Sequence, residues 1–297
     1  MEPSLTGLRV LRAIAERGSF TAAARDLGYT QSAVSRQVAA LEREAGSALF
    51  ERGAGGVRLT REGLILLRHA RVILDEIASA EQELEGQEPG MHEVRLGAFV
   101  SAGAVLLPRT LQIVRDLRPD IRVVTREGTT PALVRALRAG TIDLAVVASR
   151  PPYSPLDSEL PALVTVVLDE TTLAVAAPAM GRFAGRAAVT TAELEGVDWI
   201  ASPSVAGESL LGVWPGLAGR PRVVHTARDW LTKLQLVAAG CGLTTVSPNL
   251  SSVLPDGAQL LRVEDASPAD RRRLLVARLP GRPRPAVAAV VDALRSR

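Results

Sequence analysis

The chain has 297 residues, 47% of them hydrophobic and 23% charged, which suits a globular protein of two domains and excludes a wholly disordered chain, a collagen or a disulfide scaffold. Its 35 basic and 32 acidic residues give a formal charge of +3, too small to demand or to exclude a nucleic-acid partner. The basic residues are lopsided, because Lys233 is the single lysine and every other cationic side chain is arginine. Cys241 stands alone, so an intrachain disulfide is impossible, and His69, His92 and His225 show no metal-ligand spacing. Met1-Glu2-Pro3-Ser4 opens no signal peptide, and no apolar run approaches the ~20 residues that span a bilayer. The expectation is a cytoplasmic protein without metal or cofactor.

Charge divides the chain. Residues 1–60 carry +2, residues 61–90 carry −4 and the remainder +5, with Gly86 and Pro89-Gly90 marking the main boundary. In chain order, Leu8, Leu11 and Ala15 recur at helical spacing up to Gly18. Thr21 is the expected cap of a short second helix holding Ala22, Ala23, Ala24 and Leu27. Thr30 is the expected cap of a third, with Val34, Val38 and Leu41 on its inner face and Gly46 at its end. Leu49 to Arg52, the glycine-rich turn 53–56 and Val57 to Leu59 predict a hairpin. Thr60 then starts a long helix over 61–85. Its stripe of Leu67, Ala70, Leu74, Ile77 and Leu84 asks for a partner, and a second copy is the expected one.

Strands and helices alternate afterwards. Glu93 to Phe99, Ile121 to Glu127 and Leu144 to Val147 read as strands, with helices through Val105–Val114 and Pro131–Arg138 between them. This βαβαβ order implies a mostly parallel sheet with helices on its faces. Further strands are expected at 163–168, 173–177, 199–200, 243–246, 259–263 and 273–277, with helices near 229–239 and 286–295.

The two short helices joined by a tight turn have helix-turn-helix geometry. In such motifs the second helix enters the major groove with its N-terminal residues at the base edges. Gln31, Ser32, Ser35 and Arg36 suit that task, since glutamine pairs with adenine, arginine with guanine, and serine with either base or phosphate. Arg52 and Arg58 flank the hairpin tip, within reach of phosphates. A small solvated helical bundle is the alternative, and a net +2 does not decide between them.

The combination of Phe20, Ala23-Ala24, Gln31-Ser32-Ala33-Val34-Ser35, Leu41-Glu42, Leu49-Phe50-Glu51-Arg52 and Leu59-Thr60 resembles the winged helix-turn-helix of LysR-type transcriptional regulators. Ala33 stands where many members carry proline; both residues suit a first helical turn. The resemblance extends along the chain, through Gly97, Leu106-Leu107-Pro108, Asp143-Leu144-Ala145 and Gly240-Cys241-Gly242-Leu243. It implies an α plus α/β architecture: a DNA-binding domain over 1–60, a linker and dimerisation helix with hinge over 61–90, and an effector domain over 91–297. That domain would be two α/β subdomains similar to periplasmic solute-binding proteins, crossing near 149–168 and 244–263. The implied partners are double-stranded DNA with an interrupted palindromic site, a small-molecule effector, further copies of the chain as dimer or tetramer, and RNA polymerase.

The resemblance also implies a cleft whose contacts gather at strand C-termini and helix N-termini, where free N–H groups favour an anion such as a carboxylate. Ser101, Thr129, Thr130, Ser149, Ser202, Pro203 and Ser204 fall at such places, with Arg150 and Arg228 as counter-charges. Each hydroxyl has an alternative as a plain helix cap. Rival classes are weaker. An enzyme lacks a phosphate loop, a Gly-x-Ser-x-Gly turn or a metal-ligand pair, a solute-binding protein would need export, and a winged-helix regulator of another family fits only 1–60 well. Gly240-Cys241-Gly242 follows a helix instead of opening one, so it reads as a helix end. Cys241 has no second cysteine to resolve an oxidised sulfur.

Overall fold

The computed structural model describes residues 2–53, 56–84, 91–203 and 211–296. Three helices, α1 (Leu5–Arg17), α2 (Phe20–Asp26) and α3 (Gln31–Ala45), are followed by a hairpin of β1 (Phe50–Gly53) and β2 (Gly56–Leu59), and then by α4 (Arg61–Leu84). Each helix starts where a hydroxyl meets an orphan N–H. Ser4 accepts from the Gly7 N–H at 3.0 Å, Ser19 from Ala22 at 3.0 Å, Thr30 from Ala33 at 3.2 Å and Thr60 from Gly63 at 3.0 Å. Ser19, and not Thr21, therefore caps α2. The helix begins earlier than its alanines suggest because Phe20 is drawn in against Phe50, ring centroids 5.6 Å apart and edge to face.

Val34, Val38 and Leu41 are buried, as their spacing predicts. Glu42, on the last turns of α3, accepts from the Leu49 N–H at 2.8 Å and the Phe50 N–H at 3.4 Å, which ties the hairpin to α3. The Val57 N–H donates to the Gly18 carbonyl at 3.2 Å and ties it to α1 as well. The first part of the α4 stripe is covered within the chain. Leu67, Ala70 and Leu74 are buried against Leu8, Leu11, Leu41 and Leu49 of the same chain. Ile65, Val72 and Ile73 lie on another face of α4 and stay exposed, as does Leu84.

A five-stranded sheet follows, in the order β4 (Ile121–Glu127), β3 (His92–Ala98), β5 (Leu144–Ser149), β13 (Arg271–Arg278), β6 (Val164–Thr172). The first three are parallel, as βαβαβ requires, and β13 runs antiparallel to both its neighbours. Val94, Leu96, Ala98, Leu144 and Val146 bury one face under α5 (Val100–Leu117) and α8 (Pro285–Arg295). Ala145, Val147, Leu275 and Ala277 bury the other under α6 (Thr130–Ala139). The second subdomain holds β7 (Ala174–Pro178), β8 (Ala188–Val189), β11 (Thr244–Val246) and β12 (Ala258–Val263) in one sheet, and a parallel pair of β9 (Asp198–Ala201) and β10 (Arg222–Thr226) beside α7 (Trp230–Ala238). Trp199 and Trp214 lie in its core.

The chain passes between the subdomains at 172–174 and again at 263–271, later than the expected 149–168 and 244–263. The run at 163–168 is the body of β6, hydrogen-bonded to β13, and 244–263 stays within the second subdomain. The first domain rests on the second. Glu16 of α1 pairs with Arg126 of β4, and the Arg135 Nε–H donates to the Glu16 carbonyl at 3.4 Å. Arg95 bridges Asp75 of α4 at 3.2 Å and Asp143 at 3.4 Å. Gly140 ends α6 at φ 71°, and a Cβ there would stand 1.5 Å from the Arg71 Nε of α4, so both the backbone and the packing require glycine.

Candidate nucleic-acid interface and effector cleft

On α3 the inner residues Val34 and Val38 are buried, and Gln31, Ser32, Ser35 and Arg36 are all exposed on the opposite side. Positions i, i+1, i+4 and i+5 of a helix make one polar face at its N-terminal end. The Ser32 hydroxyl lies 3.0 Å from the Thr30 hydroxyl, beside the cap. Arg58 is exposed on β2, where it pairs with Glu51, next to the pair of Arg52 with Val57. Arg52 stands in β1, and its side chain, like Ser204, lies outside the described residues.

A cavity of about 350 Å³ opens at the C-terminal ends of β3 and β4. Phe99, Val100, Gly103, Ala104 and Leu107 of the α5 region line it, with Thr125, Glu127 and, from the second subdomain, Trp230. Ser101 is half-buried in the first turn of α5, between lining residues. Thr129 precedes α6 without making a side-chain cap bond, and α5 likewise starts at Phe99 with no side-chain cap. Thr130 opens α6, and Ser149 ends β5 opposite Arg273. None of these hydroxyls is itself a cavity wall; the apolar neighbours of Ser101 are. Arg150 and Arg228 are exposed and are not among the cavity walls, and Arg150 faces another cation, Arg272.

On the second subdomain Ser202 follows β9, its N–H donating to the Leu211 carbonyl at 2.7 Å, and Pro203 beside it is exposed. The Ser202 Oγ accepts from the Lys233 Nζ at 2.7 Å. Lys233 is only 9% exposed, and burial pushes its ammonium below the usual lysine range. Neither Lys233 nor Trp230 figured among the expected site residues. The signal for Lys233 was its being the single lysine; Trp230 carried none, since an aromatic at a helix start reads equally as core.

Among the described residues, no helix is long and apolar enough to cross a membrane, and no group of three or more His, Cys, Asp or Glu could hold a metal ion.

A hairpin-bearing helix-turn-helix joined by one long helix to a two-lobed α/β domain defines the architecture of a DNA-binding regulator. Comparison with known proteins agrees over the whole length. The family described as "Bacterial regulatory helix-turn-helix protein, lysR family" matches residues 5–64, and "LysR substrate binding domain" matches residues 87–297. The chain belongs to the LysR family of transcriptional regulators. A "Probable hydrogen peroxide-inducible genes activator" of Mycobacterium avium is 27% identical, over 92% of this chain and 87% of that protein. A protein of the same description from Streptomyces viridosporus is 29% identical over 99% and 95%. Among solved structures, a full-length OxyR variant from Pseudomonas aeruginosa aligns with a TM-score of 0.63 at 21% identity, over 99% of this chain and 98% of that one. Full-length CbnR complexed with its target DNA aligns at 0.58 and 23%, over 98% and 99%. At these identities the two structures speak for the fold alone.

Proposed function

We propose that the protein regulates transcription by sequence-specific binding of α3 in the major groove, under the control of a small, acidic effector held in the cleft between its α/β subdomains. The observation that carries the DNA-reading part is the face of Gln31, Ser32, Ser35 and Arg36: four polar groups exposed together at the N-terminal end of a helix whose other side is buried. Arg52 and Arg58 supply phosphate contacts on the hairpin. With so small a local charge, affinity rests on placed arginines more than on a basic field. Arg36→Ala is expected to weaken binding to the operator by about 1–3 kcal/mol while changing binding to random DNA far less. Gel shifts on both DNAs test this, and equal losses would make Arg36 a phosphate contact.

Two copies would join through the exposed Ile65, Val72 and Ile73 face of α4, which suits an interrupted palindrome read by paired recognition helices. Analytical sizing at micromolar concentration should find a dimer or tetramer; a monomer sinks this part. Contact with RNA polymerase belongs to the same reading.

For the effector, the support is the start of α5 and of α6 at the sheet's C-terminal edge, where backbone N–H groups are not taken by side-chain caps, together with Ser101, Thr129 and Thr130 beside them and Ser202 across the cleft. A carboxylate fits such donors. Within these 297 residues Cys241 has no second cysteine with which to form an intrachain disulfide.

A further inference from the structure

We propose that Lys233 is the anion anchor of the cleft: its ammonium and the Ser202 hydroxyl together hold an oxyanion group of the effector. The inference rests on the reading of the cleft given above and adds to it a residue and a charge requirement.

The argument starts from cost. An ammonium nine-tenths buried is expensive unless it is paired and hydrogen-bonded. Lys233 has three donors, and one of them is spent, on the neutral Ser202 Oγ at 2.7 Å. Among the described residues no carboxylate forms an ion pair with it. The acid that influences it, Asp229, is already committed: it accepts from the Leu231 N–H at 3.3 Å and from both the N–H and the hydroxyl of Thr232 at 2.8 Å, capping α7. Among the described residues, two ammonium protons and the Ser202 hydroxyl proton therefore stand together without an anionic acceptor.

Position gives this group a use. Ser202 leaves the C-terminal end of β9, where α/β proteins bind ligands. Trp230, one helical turn before Lys233, lines the cavity shared with α5. Composition points the same way. A chain that places arginine at every other cationic position uses a lysine here, where a compact point charge on a flexible stem fits a confined spot that a planar guanidinium would not.

The single lysine is also its own probe. Full-length protein made with 13C-lysine should give one ε-methylene signal. It can be titrated with acetate, succinate and sulfate to about 100 mM, enough to fill a millimolar site, against chloride as reference. At least one oxyanion should move the signal saturably and raise the melting temperature. Ser202→Ala should weaken that oxyanion about tenfold and Lys233→Met should abolish the thermal response, with the circular dichroism of each variant as the check on folding. A lysine signal that no oxyanion moves overturns the proposal, as does a thermal response undiminished in Lys233→Met. If the response survives in Lys233→Met but is lost in the Ser101→Ala, Thr129→Ala double variant, the anchor fails and the cleft reading stands. If the lysine signal still moves in that double variant, the anchor stands and the reading of Ser101 and Thr129 as effector contacts fails.

Discussion

Helices in the two halves of the molecule begin in different ways. In the DNA-binding half, α1, α2, α3 and α4 open at Ser4, Ser19, Thr30 and Thr60, each with its hydroxyl oxygen within 3.2 Å of a first-turn N–H. At the cavity α5 opens at Phe99, and past the end of β4 α6 opens at Thr129, both with no side-chain cap, although Thr129 has the right chemistry for one. The α7 helix beside them is capped, by Asp229. Hydroxyls near helix starts are thus consumed by local structure in the DNA-binding half, as Ser247 and Ser267 are at the short helical turns of the second, and are left over beside the cavity. A reader domain needs its helices fixed before DNA arrives; a sensor gains by leaving N–H and O–H groups for the ligand to satisfy.

The largest expected effect comes from the opposite end of α6. There Arg138 is buried, bonded in bidentate fashion to Asp157 at 2.8 Å and to the carbonyls of Pro161 at 2.7 Å and Glu159 at 2.9 Å. Arg138→Met removes one partner of a buried ion pair and should cost about 3–5 kcal/mol, read as a lower denaturation midpoint of the effector domain. A change below about 1 kcal/mol would show that α6 is held in place by its apolar face alone, and that its open N-terminus has no rigid counterpart at the other end.

Next in size is a cap of the reader. Ser19→Ala should destabilise that domain by about 1 kcal/mol, the usual value of an N-cap hydroxyl. Chemical denaturation measures it, and Thr21→Ala is the control, expected near zero because Thr21 lies inside the helix. Reversal of the two would restore the cap assignment that spacing suggested.

That pair also shows where sequence reasoning stops. The period of Val34, Val38 and Leu41 and the cap at Thr30 are local, and both are legible. Ser19 was passed over because the start of α2 is set by Phe20 meeting Phe50, a contact thirty positions away. The Leu67, Ala70 and Leu74 stripe was legible as a stripe, but periodicity does not say whether its partner is another copy or the same chain's α1. The crossings fall elsewhere for a similar reason: a strand's pairing partner, here β13 for β6, lies roughly a hundred residues on. Lys233 was hidden because a lysine within a helix reads as surface, and only its bond to Ser202 makes it part of a site.

The smallest stability effect tests the comparison most directly. If the hydroxyls at the cavity are unspent, removing them should cost the fold little. Ser101→Ala with Thr129→Ala is expected to shift stability by no more than about 0.5 kcal/mol, the range of substitutions that break no internal contact. The same double variant should lose its response to effector in a DNA-binding assay. A loss of about 1 kcal/mol or more would instead mean that Thr129 acts as an ordinary cap, and α6 would then start as the helices of the DNA-binding half do. Unchanged stability with an unchanged effector response would keep the structural contrast but remove its functional meaning. The open N-termini of α5 and α6 would then serve water, and recognition would fall to the Ser202 side of the cleft.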